Sequence, residues 1–261
     1  PLFQLKDIVE QHNVIVLSSN YALYAEMSRR FMKVLSGFVT PQEQEIYSID
    51  ECFLDLTAYA SNYDLTAYAH LMLDRLLRWL GLPACIGIGR TKTEAKMANH
   101  IAKKNSYLKG ICNLVSMDYC SVENLYRTIE VSEVWGIGRQ HTKKLNSLRI
   151  NTVLDFVCAS PLMIKDQFSI VMQKTLLELQ GISCMEIEQI PKVKKQIIAS
   201  RSFGQKVYST DDLKEAITLY VQDAVSRLRN EKLLCGCIIG FVQSNPFDSS
   251  EPYYRSEEHT S

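Results

Sequence analysis

Several features that would assign the protein to a class are missing from its sequence. No apolar run approaches the roughly eighteen residues that a membrane-spanning helix needs. The first residue is not Met, and no charged stretch followed by an apolar one forms a secretory leader. The eight cysteines are scattered and form no CxxC pair, which argues against a disulfide framework and against paired zinc ligands. We therefore expect a soluble, cytoplasmic protein with reduced cysteines.

The sequence also has no net charge, because 29 Lys and Arg residues balance 29 Asp and Glu residues. The charges are nevertheless unevenly distributed. Residues 41–64 carry six acids and no Lys or Arg, whereas residues 90–109 carry six bases and one acid. Residues 139–149 carry four bases and residues 192–206 five, both without an acid. An acidic segment among basic ones suits a metal-dependent enzyme that acts on a polyanion. Solvated faces that cluster by chance are the simpler alternative.

Hydrophobic periodicity indicates an α+β fold. Before residue 118, strand patterns alternate with helical ones, which predicts one sheet with helices stacked on one face. After residue 118 only short helices are indicated, which predicts a small all-helical domain. The predicted strands are 14–17, 84–89 and 110–115, and the predicted helices are 1–11, 18–36, 64–80, 91–103, 121–128, 139–148, 152–157, 161–167 and 170–180.

A polar connector, residues 188–195, separates these elements from a third group of patterns. Residues 197–207 predict a strand, residues 211–230 a helix capped by Ser209 or Thr210, and residues 235–243 another strand. A strand, a helix and a strand cannot enclose a core alone, so this second α+β unit is expected to be incomplete.

The last seven residues, 255–261, match what a widely used sequencing adapter encodes in one reading frame. We hypothesise that this tail is not biological. Together with the missing start residue, it suggests a fragment cut at both ends. Recovery of the intact gene with these residues in place would contradict the hypothesis about the tail.

The most informative stretch runs from Tyr47 to Leu56, an apolar run interrupted by the adjacent carboxylates of Asp50 and Glu51. Carboxylates are rarely placed among Ile, Phe and Leu unless something neutralises them, and a divalent cation is the neutraliser that also does chemistry. Neighbouring residues of a regular strand point to opposite faces, so both can serve one metal site only where the chain bends. We predict a strand-turn-strand that presents an acidic pair. Asp55, on the same strand face as Glu51, is expected to be structural.

A second informative stretch is residues 87–103. Glycines at the end of a strand let a helix N-terminus approach closely, and such an N-terminus attracts phosphate. The helix that follows carries four polar residues at i, i+4, i+7 and i+11, which places them on one face. They are Lys92, Lys96, Asn99 and Lys103. We interpret this face as anion-binding, with Lys92 and Lys96 as candidate DNA contacts, although the GxxxxGK[ST] spacing of a P-loop is absent. A solvated lysine face is the alternative.

A third stretch, residues 134–139, reads Val-Trp-Gly-Ile-Gly-Arg and precedes a basic helix. Gly136 and Gly138 in a tight turn expose backbone N–H groups, and Arg139 and Lys143 add positive charge. This combination predicts a contact that holds a DNA phosphate without reading sequence. A plain helical hairpin is the alternative.

Four motifs, in this order, resemble those of the Y-family translesion DNA polymerases. They are YSIDE at 47–51 with FLDL at 53–56, GIGRTKT at 87–93, WGIGR at 135–139 and SRSFG at 200–204. The resemblance runs from about residue 1 to residue 254 and implies a right-handed polymerase. The implied parts are the end of the fingers at 1–12, a palm with an antiparallel sheet at 13–117, a helical thumb at 118–187, a linker at 188–195 and a partial little finger at 196–254.

The resemblance also implies roles for individual residues. Asp50 resembles the palm aspartate that binds both Mg²⁺ ions, and Glu51 the glutamate that helps to bind the catalytic one. Lys103 matches the lysine that reaches the incoming triphosphate, and Arg201 and Lys206 are implied phosphate contacts of the little finger. The implied mechanism is two-metal transfer of a nucleotide from a dNTP to a primer 3′-hydroxyl. The implied partners are primer-template DNA, dNTP, a UmuD′-like subunit, RecA and the sliding clamp.

The sequence departs from the family pattern at its start. The family's first metal-binding aspartate, its sugar-discriminating aromatic residue and its triphosphate-binding Tyr and Arg are expected upstream of Pro1. The family binds its metal ions with three carboxylates, and this chain has only the two that match Asp50 and Glu51. We therefore expect this chain to bind metal poorly and to polymerise negligibly. A nucleotide cyclase would share the carboxylate pair but has no use for the glycine turn formed by residues 136–138. A non-enzymatic DNA-binding accessory protein is the other alternative, and Mg²⁺-dependent nucleotide binding by the intact parent discriminates it from a polymerase.

Overall fold

The computed structural model describes residues 5–188, 195–245 and 252–260. The chain divides into two compact units, Pro1–Ile190 and Pro191–Ser261. Within the described ranges, no helix has both the length and the apolar character needed to cross a membrane. The predicted connector at 188–195 coincides with the division, although most of it lies outside the described residues.

Helices dominate the first unit, as the periodicity predicts, and short strands pair between them. Its helices are α1 Lys6–Gln11, α2 Tyr21–Leu35, α3 Leu65–Leu80, α4 Lys92–Lys104, α5 Tyr119–Thr128, α6 Arg139–Ser147, α7 Val153–Val157, α8 Pro161–Gln167 and α9 Ile170–Leu179. Its strands are β1 Gln44–Ile46, β2 Cys52–Leu54, β3 Ile86–Ile88 and β4 Ile111–Asn113. The α+β class and the run of short helices after residue 118 are confirmed.

Helix ends follow local signals in the sequence. The Asp64 carboxylate caps α3 by accepting a hydrogen bond from the Thr66 N–H at 2.9 Å. Gly81 ends the same helix with a φ of 65°, and Gly181 follows α9 with a φ of 84°, both in the left-handed region that favours glycine. These caps explain why the predicted and observed helix ends agree within a few residues.

The strands form separate two-stranded ladders, whereas the sequence predicted one sheet. β1 pairs with β2 in antiparallel register, and β3 pairs with β4 in parallel register. No ladder joins the two pairs within the described residues. The predicted strand at 14–17 is also wrong, because Ile15 and Leu17 are 82% and 83% exposed and the segment joins no ladder. An apolar run indicates burial, but it does not specify a neighbouring strand that can supply hydrogen bonds.

One core is shared by α4 and the short helices that follow it. Ala98 and Ile101 of α4 are buried together with Leu145, Phe156 and Leu176 from three of those helices. A smaller cluster joins α2 and α3. The all-helical segment thus buries apolar side chains against α4, within the same compact unit. The predicted domain boundary at residue 118 stays a prediction.

The second unit contains α10 Thr210–Asn230, β5 Ile238–Gln243 and β6 Arg255–Thr260, with β5 and β6 antiparallel. Ser209 caps α10 as predicted, accepting from the backbone N–H groups of the first turn. The predicted strand at 197–207 is absent, because no strand of the described residues pairs with it. Helix α10 has no buried residue, in agreement with the expectation that this unit cannot enclose a core alone.

The seven residues predicted to be adapter-derived lie mostly in β6, which pairs with β5 along its length. Strand pairing does not depend on where a sequence originated, since it uses backbone groups that every residue carries. The hypothesis about the origin of this tail therefore stays a prediction.

Two glycines of β3 and the turn after it let α4 pack directly on the strand. A Cβ added at Gly89 would lie 2.5 Å from the backbone N of Ala95, and one at Gly87 would overlap the backbone of Ala95 and Asn99. The close approach expected from the glycines at 87 and 89 is confirmed, and it fixes the position of α4.

We expect Gly87→Ala to destabilise the protein by about 3 kcal/mol or more, because the added methyl group overlaps helix backbone that cannot move away. Urea unfolding followed by circular dichroism measures the change. Gly138→Ala is the matched control, since a Cβ there meets nothing within 4 Å, and it should cost less than about 1 kcal/mol. Equal stabilities of the two variants would contradict the role assigned to the glycine.

Candidate functional site

The predicted acidic pair lies in a loop, residues 47–51, between β1 and β2; we name it the acidic loop. The backbone N–H groups of Tyr47 and Ser48 donate to the carbonyl oxygen of Glu51 at 3.1 and 3.0 Å, which closes the bend. The Ser48 hydroxyl donates to a carboxylate oxygen of the exposed Asp50 at 2.8 Å. The predicted strand-turn-strand is confirmed. Asp55 accepts from the N–H and hydroxyl of Thr57 in a local turn, which is a structural role.

Glu51 is paired with a lysine of α4. The Lys96 ammonium lies 2.8 Å from one carboxylate oxygen of Glu51 and 2.9 Å from the other. The side chains are 21% exposed for Lys96 and 30% for Glu51, so the ion pair is partly shielded from water. In this arrangement the Lys96 ammonium neutralises the Glu51 carboxylate.

Three aromatic rings join the acidic loop to the glycine turn; we name Tyr47, Phe53 and Trp135 the aromatic junction. The Trp135 indole N–H donates to the Tyr47 hydroxyl at 3.1 Å. The ring centroids of Tyr47 and Trp135 are 5.4 Å apart, and that of Phe53 is 5.7 Å from each. The Lys96 ammonium lies 5.2 Å from the Tyr47 centroid and 6.0 Å from that of Trp135. Sequence reasoning missed this contact because Trp135 and Tyr47 are 88 residues apart.

The predicted anion-binding face of α4 is not one solvent-facing row. Lys92 is 9% exposed and forms an ion pair with Glu45, a residue of β1. Glu45 also accepts from the backbone N–H of Glu188 at 2.6 Å. Lys92 is therefore committed to the interior, which corrects the expectation that it contacts DNA from an open surface. A buried carboxylate needs such a partner, and the helical period cannot reveal one.

The other two members of that face differ from each other. The Asn99 amide donates to the Cys85 carbonyl oxygen at 3.4 Å, so it faces the strand. Lys103 is exposed, and no carboxylate of the described residues pairs with it. Of the four predicted positions, Lys103 alone has the freedom expected of an anion ligand, and its role stays a prediction.

The N-terminus of α4, predicted to attract phosphate, is filled by the carboxylate of Glu178. This carboxylate belongs to α9, is fully buried and accepts from the Thr93 backbone N–H at 3.0 Å. It also accepts from the backbone N–H groups of Cys184 at 2.7 Å and Met185 at 3.0 Å. A helix N-terminus does attract an anion here, but the anion is part of the protein, so the phosphate interpretation of this position is wrong.

A second buried carboxylate, that of Glu94, orders the turn before α4. It accepts from the backbone N–H of Arg90 at 2.6 Å and from its guanidinium at 2.9 and 3.2 Å. The Tyr126 hydroxyl lies nearby, and burial followed by the Glu94 charge raises the pKa of its phenol well above the usual range. This turn is therefore held by charge-assisted hydrogen bonds and offers no open site.

Cys52 lies next to the acidic pair and is the nearest thiol in the sequence. Burial raises the pKa of this thiol to about 11. Only a thiolate is a good nucleophile or metal ligand. Cys52 therefore stays neutral near pH 7 and contributes packing to the hairpin.

The glycine turn, residues 136–138, is open on its outer side. Gly136 has a φ of 88°, and a Cβ at either glycine would meet nothing within 4 Å. Buried Val134 and Ile137 anchor the turn to the core. Gly138 directly precedes α6 and has no side chain to cap it, so the first backbone N–H groups of the helix remain available to a ligand.

Two bases on α6 are placed as predicted. Arg139 and Lys143 are exposed, and within the described ranges no carboxylate forms an ion pair with either. Lys144 differs, because its ammonium donates to the Gln167 carbonyl oxygen and lies 4.7 Å from the Phe168 ring centroid. Arg201 and Lys206 are exposed in the second unit, in a segment without a strand. The DNA-binding roles of Arg139, Lys143, Arg201 and Lys206 stay predictions.

The residues present do not form a metal site in this arrangement. Within the described part of the chain, no group of three or more His, Cys, Asp or Glu side chains is close enough to hold a metal ion. Both carboxylate oxygens of Glu51 contact the Lys96 ammonium. Of the acidic pair, this leaves the carboxylate of Asp50 to bind a metal ion. The predicted roles of Asp50 and Glu51 as metal ligands, and the expectation that the chain by itself binds metal poorly, stay predictions.

Two family models match the chain. One, described as the impB/mucB/samB family, matches residues 1–100, and the other, the C-terminal domain of the same family, matches residues 194–261. Protein UmuC of Salmonella typhimurium is 40% identical over 255 residues, which cover 97% of this chain and 60% of that protein. DNA polymerase IV of Oceanobacillus iheyensis is 34% identical over 155 residues, 59% of this chain and 34% of that protein. The chain thus spans 60% of the length of UmuC.

The fold is similar to solved structures of polymerases. A Y-family DNA polymerase chimera of Dbh and Dpo4 matches with a TM-score of 0.68 at 18% identity, covering 99% of this chain and 70% of that one. The chain therefore shares the fold of these polymerases, in agreement with the α+β class expected from the hydrophobic periodicity.

We expect the hydrogen bond between Trp135 and Tyr47 to contribute about 0.5–1 kcal/mol to stability. Trp135→Phe removes the donor and Tyr47→Phe the acceptor, while both keep an aromatic ring. Urea unfolding of both single variants and the double variant should show that the second substitution costs less in the presence of the first. Tyr47→Phe combined with Trp79→Phe is the control, since Trp79 is outside the aromatic junction, and these costs should add. If the losses of unfolding free energy are additive for both pairs of variants, a stabilising hydrogen bond between Trp135 and Tyr47 is excluded.

Glu178→Ala should destabilise the first unit by about 3 kcal/mol, because it leaves several buried N–H donors without an acceptor. Thermal and urea unfolding measure the loss. Glu186→Ala, an exposed carboxylate eight residues later in the chain, should change stability by less than about 0.5 kcal/mol. Similar values for the two variants would mean that the buried carboxylate has no special role.

Proposed function

Because the chain belongs to the impB/mucB/samB family, we propose that the whole protein is a DNA polymerase that copies damaged templates, and that this chain supplies part of its DNA-holding body. In this proposal residues 1–12 end the fingers, 13–117 form the palm and 118–187 the thumb. Residues 188–195 are the linker and 196–254 a partial little finger. Primer-template DNA and dNTP are the ligands of the whole protein.

The proposal rests on the contact between the acidic loop and the glycine turn. The Trp135–Tyr47 hydrogen bond places the glycine turn beside the acidic loop. The turn offers uncapped helix N–H groups with the exposed bases Arg139 and Lys143, and the loop offers the exposed carboxylate of Asp50. A polymerase needs this proximity, because the duplex backbone must be held next to the place where the primer end reacts.

Phosphate contact by the glycine turn is sequence-independent. Backbone N–H groups at a helix start and neighbouring cationic side chains bind phosphate oxygens without contacting base edges. Such contacts position a duplex of any sequence, which suits an enzyme that moves along its template. Lys103 of α4, and Arg201 and Lys206 of the second unit, are proposed as further phosphate contacts because all three are exposed.

Catalysis is proposed for the whole protein and not for this chain alone. Among the described residues no three His, Cys, Asp or Glu side chains are grouped to hold a metal ion, so no chemical step is assigned to Asp50 and Glu51 in this arrangement. They are proposed to become metal ligands together with a carboxylate outside this chain, with Mg²⁺ supplying the charge that nucleotidyl transfer needs. The UmuD′-like subunit, RecA and the sliding clamp are proposed as partners of the whole protein, from the family resemblance alone.

Binding of primer-template DNA tests the holding role. Replacing Arg139 and Lys143 together by Gln should weaken binding about tenfold and reduce the slope of log K against log salt by about 1–2, since two phosphate contacts are lost. Fluorescence anisotropy at several salt concentrations measures both quantities. Lys165→Gln on α8, an exposed lysine outside the turn, is the control. An unchanged affinity and slope in the double variant would refute the assignment.

Primer extension tests the catalytic role separately. This chain should extend a primer negligibly, the full-length parent should extend it, and the parent's Asp50→Ala variant should not. Robust synthesis by this chain, or unimpaired synthesis by the Asp50→Ala parent, would contradict the proposed division of roles. Gel analysis of extended primers measures all three proteins.

A further inference from the structure

The ion pair between Lys96 and Glu51 is held in place from several sides. Its lysine belongs to α4, whose position is set by the glycines of the β3 turn and by buried Met97 and Ala98. Its carboxylate belongs to the acidic loop, which is closed by backbone hydrogen bonds to the Glu51 carbonyl oxygen. The pair is therefore a defined contact between two ordered elements.

The aromatic junction adds to the environment of the ammonium. The rings of Tyr47 and Trp135 lie 5.2 and 6.0 Å from the Lys96 nitrogen, within the range of cation–π attraction. Among the described residues, Glu51 is the single carboxylate in ion-pair contact with Lys96. One turn further along α4, the Nδ1 atom of His100 lies 3.4 Å from a carboxylate oxygen of Glu133.

We propose that Lys96 is the resident counter-cation of Glu51 and competes with divalent cations for this carboxylate. A divalent ion at the acidic loop can bind Glu51 only when the Lys96 ammonium moves away, because the ammonium contacts both carboxylate oxygens. Lys96 thereby weakens the binding of divalent cations by the acidic loop. The inference deepens the proposed function, on which it rests for the identity of the competing ion as a divalent cation.

Titration with Mn²⁺, followed by the electron paramagnetic resonance signal of the free ion, tests the competition in the 261-residue chain. Lys96→Met should raise Mn²⁺ affinity at least tenfold over the unmodified chain, and adding Glu51→Gln should abolish the gain. Lys96→Arg keeps the charge and should leave the affinity within about twofold. Lys103→Met removes an exposed lysine two turns further along α4 and should also change it by less than about twofold.

Three outcomes would overturn the proposal. They are an unchanged affinity in Lys96→Met, a gain that survives Glu51→Gln, and an equal gain in Lys103→Met, which would indicate a general effect of charge. Circular dichroism melting shows whether each variant is folded.

A second measurement leaves Lys96 intact and does not depend on the folding of its variants. In a Trp79→Phe chain Trp135 is the single remaining tryptophan, and its emission reports the position of the nearby ammonium. Saturation with Mg²⁺ should shift this emission, and Glu51→Gln should remove the shift. The Mg²⁺ concentration that saturates the site is found by competition in the Mn²⁺ titration. If the Trp135 emission does not change at that concentration, the displacement of Lys96 is refuted.

The failure of this inference is distinguishable from failure of the proposed function. If Lys96→Met leaves Mn²⁺ affinity unchanged while the full-length parent extends a primer, the counter-cation role is wrong and the polymerase role stands. If Lys96→Met gains affinity for Mn²⁺ while the full-length parent does not extend a primer, the counter-cation role stands and the polymerase role is wrong.

Discussion

The buried carboxylate of Glu178 is the interaction on which the first unit depends. It comes from α9, late in the run of short helices, and accepts from the backbone of Thr93 in the first turn of α4 and from that of Cys184 and Met185. The start of a helix has N–H groups without intrahelical partners and the positive end of the helix dipole, so it compensates a carboxylate that has lost its water. One side chain thus joins α4, α9 and the segment after α9.

Helix α4 in turn connects the parts of the candidate site. On one side it packs on the β3 turn at Gly87 and Gly89, and on another it places Ile101 in the core shared with the short helices. On a third side Lys96 contacts the acidic loop and lies over the aromatic junction. Because a packed helix moves as one body, its position sets the distance between the acidic loop and the glycine turn. The site therefore depends on packing that lies behind it.

Helices were predicted well from the sequence and sheets poorly, for a physical reason. Caps such as Asp64 and Ser209, and the glycines that end helices, act within four residues of one another, so a short stretch contains the whole signal. Strands need a partner from elsewhere in the chain, and the apolar runs at 14–17 and 197–207 contain no information about one. The acidic loop was predicted because its bend and its carboxylates lie in ten consecutive residues. Its contacts with Lys96 and Trp135 were not, because these residues are distant in sequence.

The α+β class, most helix ends, the acidic pair at a bend and the family could all be predicted from the amino-acid sequence. Periodicity, caps and motifs are properties of short segments, so the sequence contains these signals in full. Which charged side chains are paired and which are exposed depends instead on contacts between distant parts of the chain. Lys92, Lys96 and Lys103 share one helical face, yet the first is paired with Glu45, the second with Glu51, and the third is exposed. The helical period places all three side chains in a row, but the carboxylates that meet two of them come from a hairpin more than forty residues away, and only folding brings that hairpin to the helix.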